Sequence, residues 1–385
     1  MTYCKICGKP NCKEHTFILS KIKNITEFSG SSPPEIFVGR HNYPDINIGI
    51  LSPTSYGNTK IMSSPEEWHK QNLKIPEITA LRGQLIYGRT QSNIKKLNQR
   101  FLTTMQEVAL THKSISTEFK LKKPVFANKE KDSYVPIISN TAPIEKAKLQ
   151  ENPKIKPKID YITSDTDLKS SKAIQELETQ TSTSQIIKIL SAGLLGIGSR
   201  RKLVPTRWSI TAVDSNLSKE KLKKIKYLPE ISDFMIFSSE YLGNHYEFLL
   251  IPDRWSFEVI ERLTNKPESW SDYESFFSRK KYAFSVTGAY YANRLALTEY
   301  LTKIKKQASC LVFREILPSY TTPLGVGILR EASRNAFQQQ PKKFTTLQEA
   351  LDDIQTRIKQ PLSNYTQTSK LLKNYNTQTR LSNFF

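Results

Sequence analysis

At 385 residues the chain is long enough for two ordinary domains. Its 57 Lys and Arg against 36 Asp and Glu give a net charge of +21, a field that draws polyanions, with nucleic acid the leading partner and a Lys-rich solubilising surface the alternative. A hydrophobic content of 38 % and an aromatic content of 10 % exclude wholesale disorder, and no apolar run is long enough to cross a bilayer, so no membrane partner is expected and the cytoplasm is the simplest compartment.

The chain opens MTYCKICGKPNCKEH, which lacks the apolar stretch of a signal peptide. Cys4, Cys7, Cys12 and His15 stand in the pattern C-x2-C-x4-C-x2-H, two close pairs separated by a GKP turn. That spacing lets the backbone wrap one tetrahedral ion, and three thiols with one imidazole suit a closed structural Zn2+ site. A disulfide pair or stray thiols are the alternatives. We read residues 1–17 as a zinc knuckle.

Residues 18–128 are expected to be an N-terminal α+β region. EIFVGRHNYPDINIGILS (35–52) reads as two β-rich runs about a turn in which Asn42, Pro44 and Asp45 supply the turn chemistry. SPEEWHK reads as a helix start with Ser64 as N-cap and Pro65 at the first position. From Ser92 onward, Ile94, Leu97, Phe101, Met105 and Val108 recur at helical spacing and predict the buried stripe of a long helix. Residues 129–162 are rich in Lys and Pro and read as an extended connection with room for an edge strand.

Residues 163–360 are expected to be a C-terminal α+β region. A helical stretch from about Leu168 to Leu195 precedes SITAVD (209–214), which reads as a strand. FMIFSSEYLGNHYEFLLIPD reads as a hairpin about Gly243-Asn244, AYYANRLALTEYLTKI as a helix and ASCLVFREI as a strand with Cys310 in the core. LREASRNAF and TTLQEALDDIQTRI read as two more helices, the second with Thr346 and Glu349 spaced as a capping box. Without a regular βαβ rhythm, the fold class is α+β, a mixed helix and strand core. Residues 361–385 carry no Asp or Glu, are rich in Asn, Thr and Gln, and read as a flexible tail.

Several residues invite chemistry. Arg40, His41 and Asp45 lie together in RHNYPD, where His41 is a candidate base or metal ligand and Arg40 a candidate phosphate holder; a polar turn capping its own backbone is the alternative. Arg200, Arg201, Lys202, Arg207 and Trp208 interleave cations with an aromatic, as phosphate contact and base stacking require, although a lone Trp beside a strand is more often core. Arg279 and Lys280 begin a further cationic cluster. Asp165 and Asp167 are better read as capping groups than as cation ligands. If the fold gathered His41, Asp45, Asp214 and His245 into one cleft, they would make a metal-dependent phosphodiesterase site around a second divalent ion.

The chain ends QTRLSNFF. Gln378, Leu381, Phe384 and Phe385 fall at i, i+3, i+6 and i+7, which on a short helical turn sets one leucine and two aromatics side by side as an apolar plug for a groove on another protein, a tail folded back onto its own domain being the alternative. The pattern resembles the motif by which replication and repair proteins bind the sliding clamp PCNA. FVGRHNYPDINIGILSP, RKLVPTRWSITAVD, HYEFLLIPDRW, RKKYAFSVTGAYYANRLALTEYL and QASCLVFREI, in this order, resemble the archaeal DNA repair family Nre, in its NreA type. The cysteine cluster and the tail fit the same family, and the resemblance runs from about residue 4 to 385. It implies a repair role on DNA in an archaeal, nucleoid-associated setting with the clamp as platform, and hands over no settled reaction. Two functions of different class therefore stand: a clamp-recruited DNA-binding repair factor, and a metal-dependent nuclease or hydrolase acting on DNA ends or nucleotide adducts.

Overall fold

A computed structural model describes Ile22 and residues 24–127, 133–138 and 140–377. The cysteine and histidine cluster at Cys4, Cys7, Cys12 and His15 and the terminal motif at Gln378, Leu381, Phe384 and Phe385 lie outside the described residues. Helices and mixed sheets make up the chain, the α+β class expected. The chain divides into one unit of Met1–Leu217 with Thr321–Ile328 and another of Ser218–Tyr320 with Leu329–Phe385. No described helix is long and apolar enough to cross a membrane.

The first unit is built on strands β1 (Glu27–Ser32), β2 (Ile36–Val38), β3 (Asp45–Ser52), β4 (Ile86–Asn93), β5 (Ile115–Leu121), β6 (Phe126–Ala127) and β7 (Asn140–Leu149). They form one sheet in the order β1-β5-β7-β4-β3-β2, with β6 beside β7. Only β4 and β7 pair in parallel. Residues 140–149, expected within an extended connection, are thus an inner strand. Ala142, Ile144 and Ala147 are buried in the core while Glu145 and Lys146 face outward, the two-residue period broken where the register with β5 shifts between Ile144 and Lys146.

Helices α1 (Pro65–Lys70), α2 (Ile75–Gly83), α3 (Arg100–Leu110), α4 (Pro157–Ser164), α5 (Ser170–Leu177) and α6 (Thr183–Ser191) belong to the same unit. Ser64 caps α1 by accepting from the Glu67 N–H at 3.4 Å. The predicted stripe reaches the core, but Ile94 and Leu97 do so from the turn after β4, because α3 begins only at Arg100. Met105 and Val108 are fully buried there with Ile46, Ile48 and Ile50 of β3, and Phe28 stacks on Phe119 at 4.6 Å. Each such side chain contributes about 1.5–3 kcal/mol by leaving water.

Helix α7 (Thr206–Ile225) corrects the reading of SITAVD as a strand. The β-branched residues suggested a strand, yet the buried Ile210, Val213 and Leu217 are spaced by three and four, the period of a helix face. Pro205 precedes the first turn, and the Thr206 hydroxyl accepts from the Val38 N–H at 3.0 Å, tying β2 to the helix start. The division between the two units falls within α7, after Leu217.

In the second unit β8 (Phe234–Tyr241), β9 (Asn244–Ile251), β10 (Ser256–Leu263), β11 (Ser269–Glu274), β12 (Ser309–Ile316) and β13 (Lys342–Phe344) form a sheet ordered β11-β10-β12-β9-β8-β13. The expected hairpin is β8–β9. Its turn uses Leu242 and Gly243 at φ of 52° and 75°, and a Cβ on Gly243 would lie 2.6 Å from the Tyr320 nitrogen, so glycine is required there. Helix α8 (Thr287–Ile304) covers one face of the sheet, where Phe257 meets Tyr290 and Phe237 meets Tyr300. On that face Phe337, just after α9 (Val326–Ala336), packs on Phe237 and Phe248. Cys310 is a buried free thiol, as its apolar strand implied.

The opposite face buries Ile236, Leu249, Ile260, Leu311 and Phe313 beneath α10 (Leu347–Gln355), α11 (Ser363–Thr366) and α12 (Lys370–Thr377). Thr346 and Glu349 form the predicted capping box of α10. Residues 363–377 are therefore not a tether. Three apolar anchors in this polar stretch, Tyr365, Leu371 and Leu372, are buried in the core. The sheet also offers carboxylates for its polar backbone. Glu258 accepts from the Ser369 hydroxyl at 2.6 Å and from the Lys370 and Leu371 N–H groups at 3.1 and 2.9 Å, while Glu315 accepts from the Lys359 and Gln360 N–H groups at 2.8 Å each. Burial pushes the Glu258 carboxyl above its ordinary value, and these donors oppose the shift.

Candidate nucleic-acid interface

The first unit brings several predicted residues to one exposed turn. Arg40 and His41 lie between β2 and β3 and Asp45 opens β3, all exposed, with Asn42 at a φ of 60° and a cis Tyr43–Pro44 peptide between them. The bond from Val38 to Thr206 sets this turn beside the start of α7, and the Tyr43 ring packs against Trp208 at 5.2 Å. Trp208 is 44 % exposed, so it is a surface ring rather than core. The Arg207 guanidinium lies over the Tyr134 ring at 3.7 Å. Arg40, His41, Arg207 and Trp208 therefore border one cationic, aromatic surface, assembled from segments 168 residues apart at the Val38–Thr206 bond.

The remaining candidates divide. Arg200 and Lys202 are exposed, whereas Arg201 donates to the carbonyl oxygens of Gly196, Thr163 and Asp165 at 2.6–2.8 Å and clips the end of α4 to the loop before α7. Burial lowers the Arg201 pKa, countered in part by the charge of Asp165. Asp165 itself accepts from the Asp167 and Leu168 N–H groups at 2.8 and 3.1 Å, a local turn. Asp45 accepts from Asn93 Nδ2 at 2.9 Å. Asp214 is fully buried within α7 rather than at a strand end. His245 belongs to the other unit, on β9, with Glu247 Oε1 3.0 Å from its Nε2 and Glu240 Oε2 3.7 Å from its Nδ1. Among the described residues, no three or more His, Cys, Asp or Glu side chains gather where they could hold a metal ion.

The second unit shapes the other cationic cluster into a cleft of about 470 Å³. Its floor comes from β11, with Ser271, Asp272 and Tyr273, and its rim from the segment between β11 and α8; Arg279, Lys280, Lys281, Ser285 and Lys370 complete the lining. One buried carboxylate organises the segment. Asp272 accepts from the Phe284, Ser285 and Val286 N–H groups at 3.2, 2.8 and 2.8 Å, and Arg279 reaches it at 3.0 Å. Arg279 also donates to the carbonyls of Tyr273 and Tyr282 at 2.8 and 3.2 Å. Arg279 is thereby the latch of the segment, and Lys280, Lys281 and Lys370 are the exposed cations.

The segment that forms the rim, residues 275–286, also carries three large aromatics with their surfaces in solvent: Phe277 is 79 % exposed, Tyr282 55 % and Phe284 89 %. None of the three, nor Lys281 or Lys370, was singled out from the sequence as a site residue. Their signal was the run FFSRKKYAF, in which a cationic triplet is bracketed by rings between an edge strand and a helix.

The fold and this surface define a two-unit α+β protein with a cationic, ring-flanked cleft in its second unit. Residues 2–271 match the family described as Archaeal Nre, N-terminal, and residues 274–384 match Archaeal Nre, C-terminal. The chain belongs to the archaeal Nre family. It is similar to the DNA repair protein NreB of Archaeoglobus fulgidus, 32 % identical across 96 % of this chain and 95 % of that protein. It is also similar to the DNA repair protein NreA of the same organism, 34 % identical over 92 % and 91 % of the two chains. The DNA repair protein NreA of Haloferax volcanii is 31 % identical over 84 % and 81 %. No solved structure matches the chain.

Proposed function

We propose that this protein is a DNA repair factor that binds DNA through its cationic surfaces and is brought to DNA by the PCNA sliding clamp. The observation that carries the DNA-binding reading is the cleft of Lys280, Lys281 and Lys370 beside exposed rings, in a chain whose curated relatives are named DNA repair proteins. A binding factor is favoured over a hydrolase because the residues considered for chemistry are engaged locally: Asp45 by Asn93, His245 by Glu247 and Glu240, with Asp214 buried.

Recruitment rests on Gln378, Leu381, Phe384 and Phe385, and the cytoplasmic, nucleoid-associated location follows from it. The donor chemistry of Cys4, Cys7, Cys12 and His15 fits one structural zinc ion, which would fold the N-terminus around itself and leave no position open for water. The NreA-type placement rests on the interior segments together with these two ends, since identity to NreA and NreB relatives is alike.

The test uses the full chain with labelled single-stranded, duplex, nicked and branched DNAs, with and without a divalent metal, on native and denaturing gels. Shifted, intact DNA is expected. Cleavage that disappears in His41→Ala would instead establish the hydrolase. Loss of Gln378 to Phe385 should abolish capture by the clamp and leave the fold intact, and metal analysis should return about one zinc per chain. A truncated chain that still binds the clamp, or a chain without zinc, would overturn the corresponding assignment.

A further inference from the structure

We infer that the cleft of the second unit holds single-stranded nucleic acid, with Phe277 and Phe284 as stacking platforms and Lys280, Lys281 and Lys370 as phosphate contacts. The inference rests on the DNA-binding reading and names the form of nucleic acid. Four features of the cleft carry it.

The rings come first. Phe277 and Phe284 keep 79 % and 89 % of their surface in water, in a segment otherwise tied down by Asp272 and by the Ala283 N–H bond to the Tyr291 hydroxyl at 3.0 Å. Ala283 and Val286 turn inward and are buried, so the segment already has its inward-facing residues and the two phenylalanines are the ones turned out. An aromatic face offered to solvent is matched by an unpaired base, which has two free π-faces. In a duplex those faces are covered by neighbouring pairs, and such rings would have nothing to stack on.

The cations are interleaved with the rings at close spacing. Lys280 and Lys281 lie three and four residues from the rings on either side, and Lys370, from the start of α12, faces the same cleft. A protein-docking patch centred on exposed aromatics is depleted of lysine, whereas a groove that tracks a strand alternates cation and ring. The volume, about 470 Å³, falls within the roughly 300–1,000 Å³ of clefts that hold a ligand of nucleotide size.

Organisation of the segment is the third feature. Asp272 neutralises Arg279 and takes three N–H groups, so the rim is set by internal bonds before any ligand arrives, and ordering costs little on binding. The fourth is the wall: Ser271 and Ser285 add neutral hydroxyls beside the lysines, suited to phosphate oxygens.

Fluorescence anisotropy with labelled oligo-dT and a duplex of equal length tests this on the full chain. Phe277→Ala with Phe284→Ala should weaken oligo-dT binding by about 5- to 150-fold per ring and leave duplex binding within about twofold. Lys280→Ala with Lys281→Ala should reduce the salt dependence of log Kd by about 0.7 per lost phosphate contact. Phe284→Trp should retain affinity, and its added indole fluorescence should be quenched by oligo-dT. If the double phenylalanine variant binds oligo-dT as tightly as the parent, or loses duplex affinity in equal measure, stacking is overturned while DNA binding stands. A parent protein that binds no DNA of either form removes both readings.

Discussion

Replacing Asp272 by Asn asks whether one carboxylate holds the rim of the cleft. The Asp272 side chain is buried and receives three backbone N–H bonds and one guanidinium. An Asn retains one acceptor. Its amide group would face the N–H donors of Ser285 and Val286, both now 2.8 Å from Oδ2. A hydrogen bond to a charged group contributes about 1.5–3 kcal/mol. Two are lost, but the freed N–H groups reach water when the segment opens, and Arg279 keeps the carbonyls of Tyr273 and Tyr282. The low end applies, about 3 kcal/mol, and it falls on opening of the segment rather than on the whole unit.

Such a loss speeds exchange of the amides of Phe284, Ser285 and Val286 by about a hundredfold, because each 1.4 kcal/mol is a factor of about ten. Hydrogen exchange read by mass spectrometry on peptides spanning 276–286 measures it, with peptides from β9 and β12 as internal controls. Asp272→Asn protein whose 276–286 peptides exchange at the parental rate would show that the carboxylate does not hold the segment.

Two further outcomes are expected. Glu247 is buried, which raises its pKa, but hydrogen bonds from His245, Arg357 and Ser238 outweigh this and hold the carboxyl below its ordinary value of 4.5; at Asp353 burial likewise raises the pKa, and the bonds and charges of Lys342 and Arg357 together outweigh it and lower the carboxyl from 3.8. The unfolded chain therefore takes up protons first as pH falls, so the stabilisation is complete above about pH 4.5 and is lost as pH drops through the folded-state values. Arg357→Met should cost about 3–5 kcal/mol at neutral pH, and the gap to the parent in urea midpoint should narrow below about pH 4; a gap constant with pH would refute the linkage. Single-strand affinity should also be nearly indifferent to sequence, within about threefold between oligo-dT and mixed-sequence strands, because stacking and phosphate contact read no base edges; a preference above about tenfold would require a reader the cleft does not show.

Much of the second unit was legible because its signals are short-range. The β8–β9 hairpin follows from two β-rich runs about a glycine, and the α10 cap from Thr346 and Glu349 three apart. Helix α7 was misread because β-branching in SITAVD spoke locally for a strand, while the deciding residue, Leu217, lay beyond the segment at helical spacing. Residues 363–377 were misread for a different reason. The Lys370 and Leu371 N–H groups are held by Glu258, and the Tyr365 hydroxyl by Glu315, residues 50 and more positions away, so composition alone showed a polar chain with nothing to hold it. At the candidate site the cationic cluster was visible, but which of its members face solvent depended on Asp272, seven residues before Arg279.

That last dependence separates the two kinds of cation in this chain. Arg279, Arg294, Arg314 and Arg357 pair with Asp272, Glu274, Glu261 and Glu247, and Arg82 with Glu35. A planar, weakly hydrated guanidinium tolerates burial and can satisfy several acceptors at once, so these arginines brace the interior. Lysine, a compact and strongly hydrated charge, is for the most part left outside, as Lys280, Lys281 and Lys370 are, with Lys188 beside Glu35 an exception. Each internal arginine carries an acid inward with it and leaves the net charge of the surface unchanged, but the acids are then unavailable to break up the lysine field. A surface whose positive charge is mostly ammonium grips phosphates without the forked geometry that matches guanine edges, and the rings beside it accept any base. The division of labour between the two cations thus favours a protein that holds a strand wherever it is exposed over one that seeks a sequence.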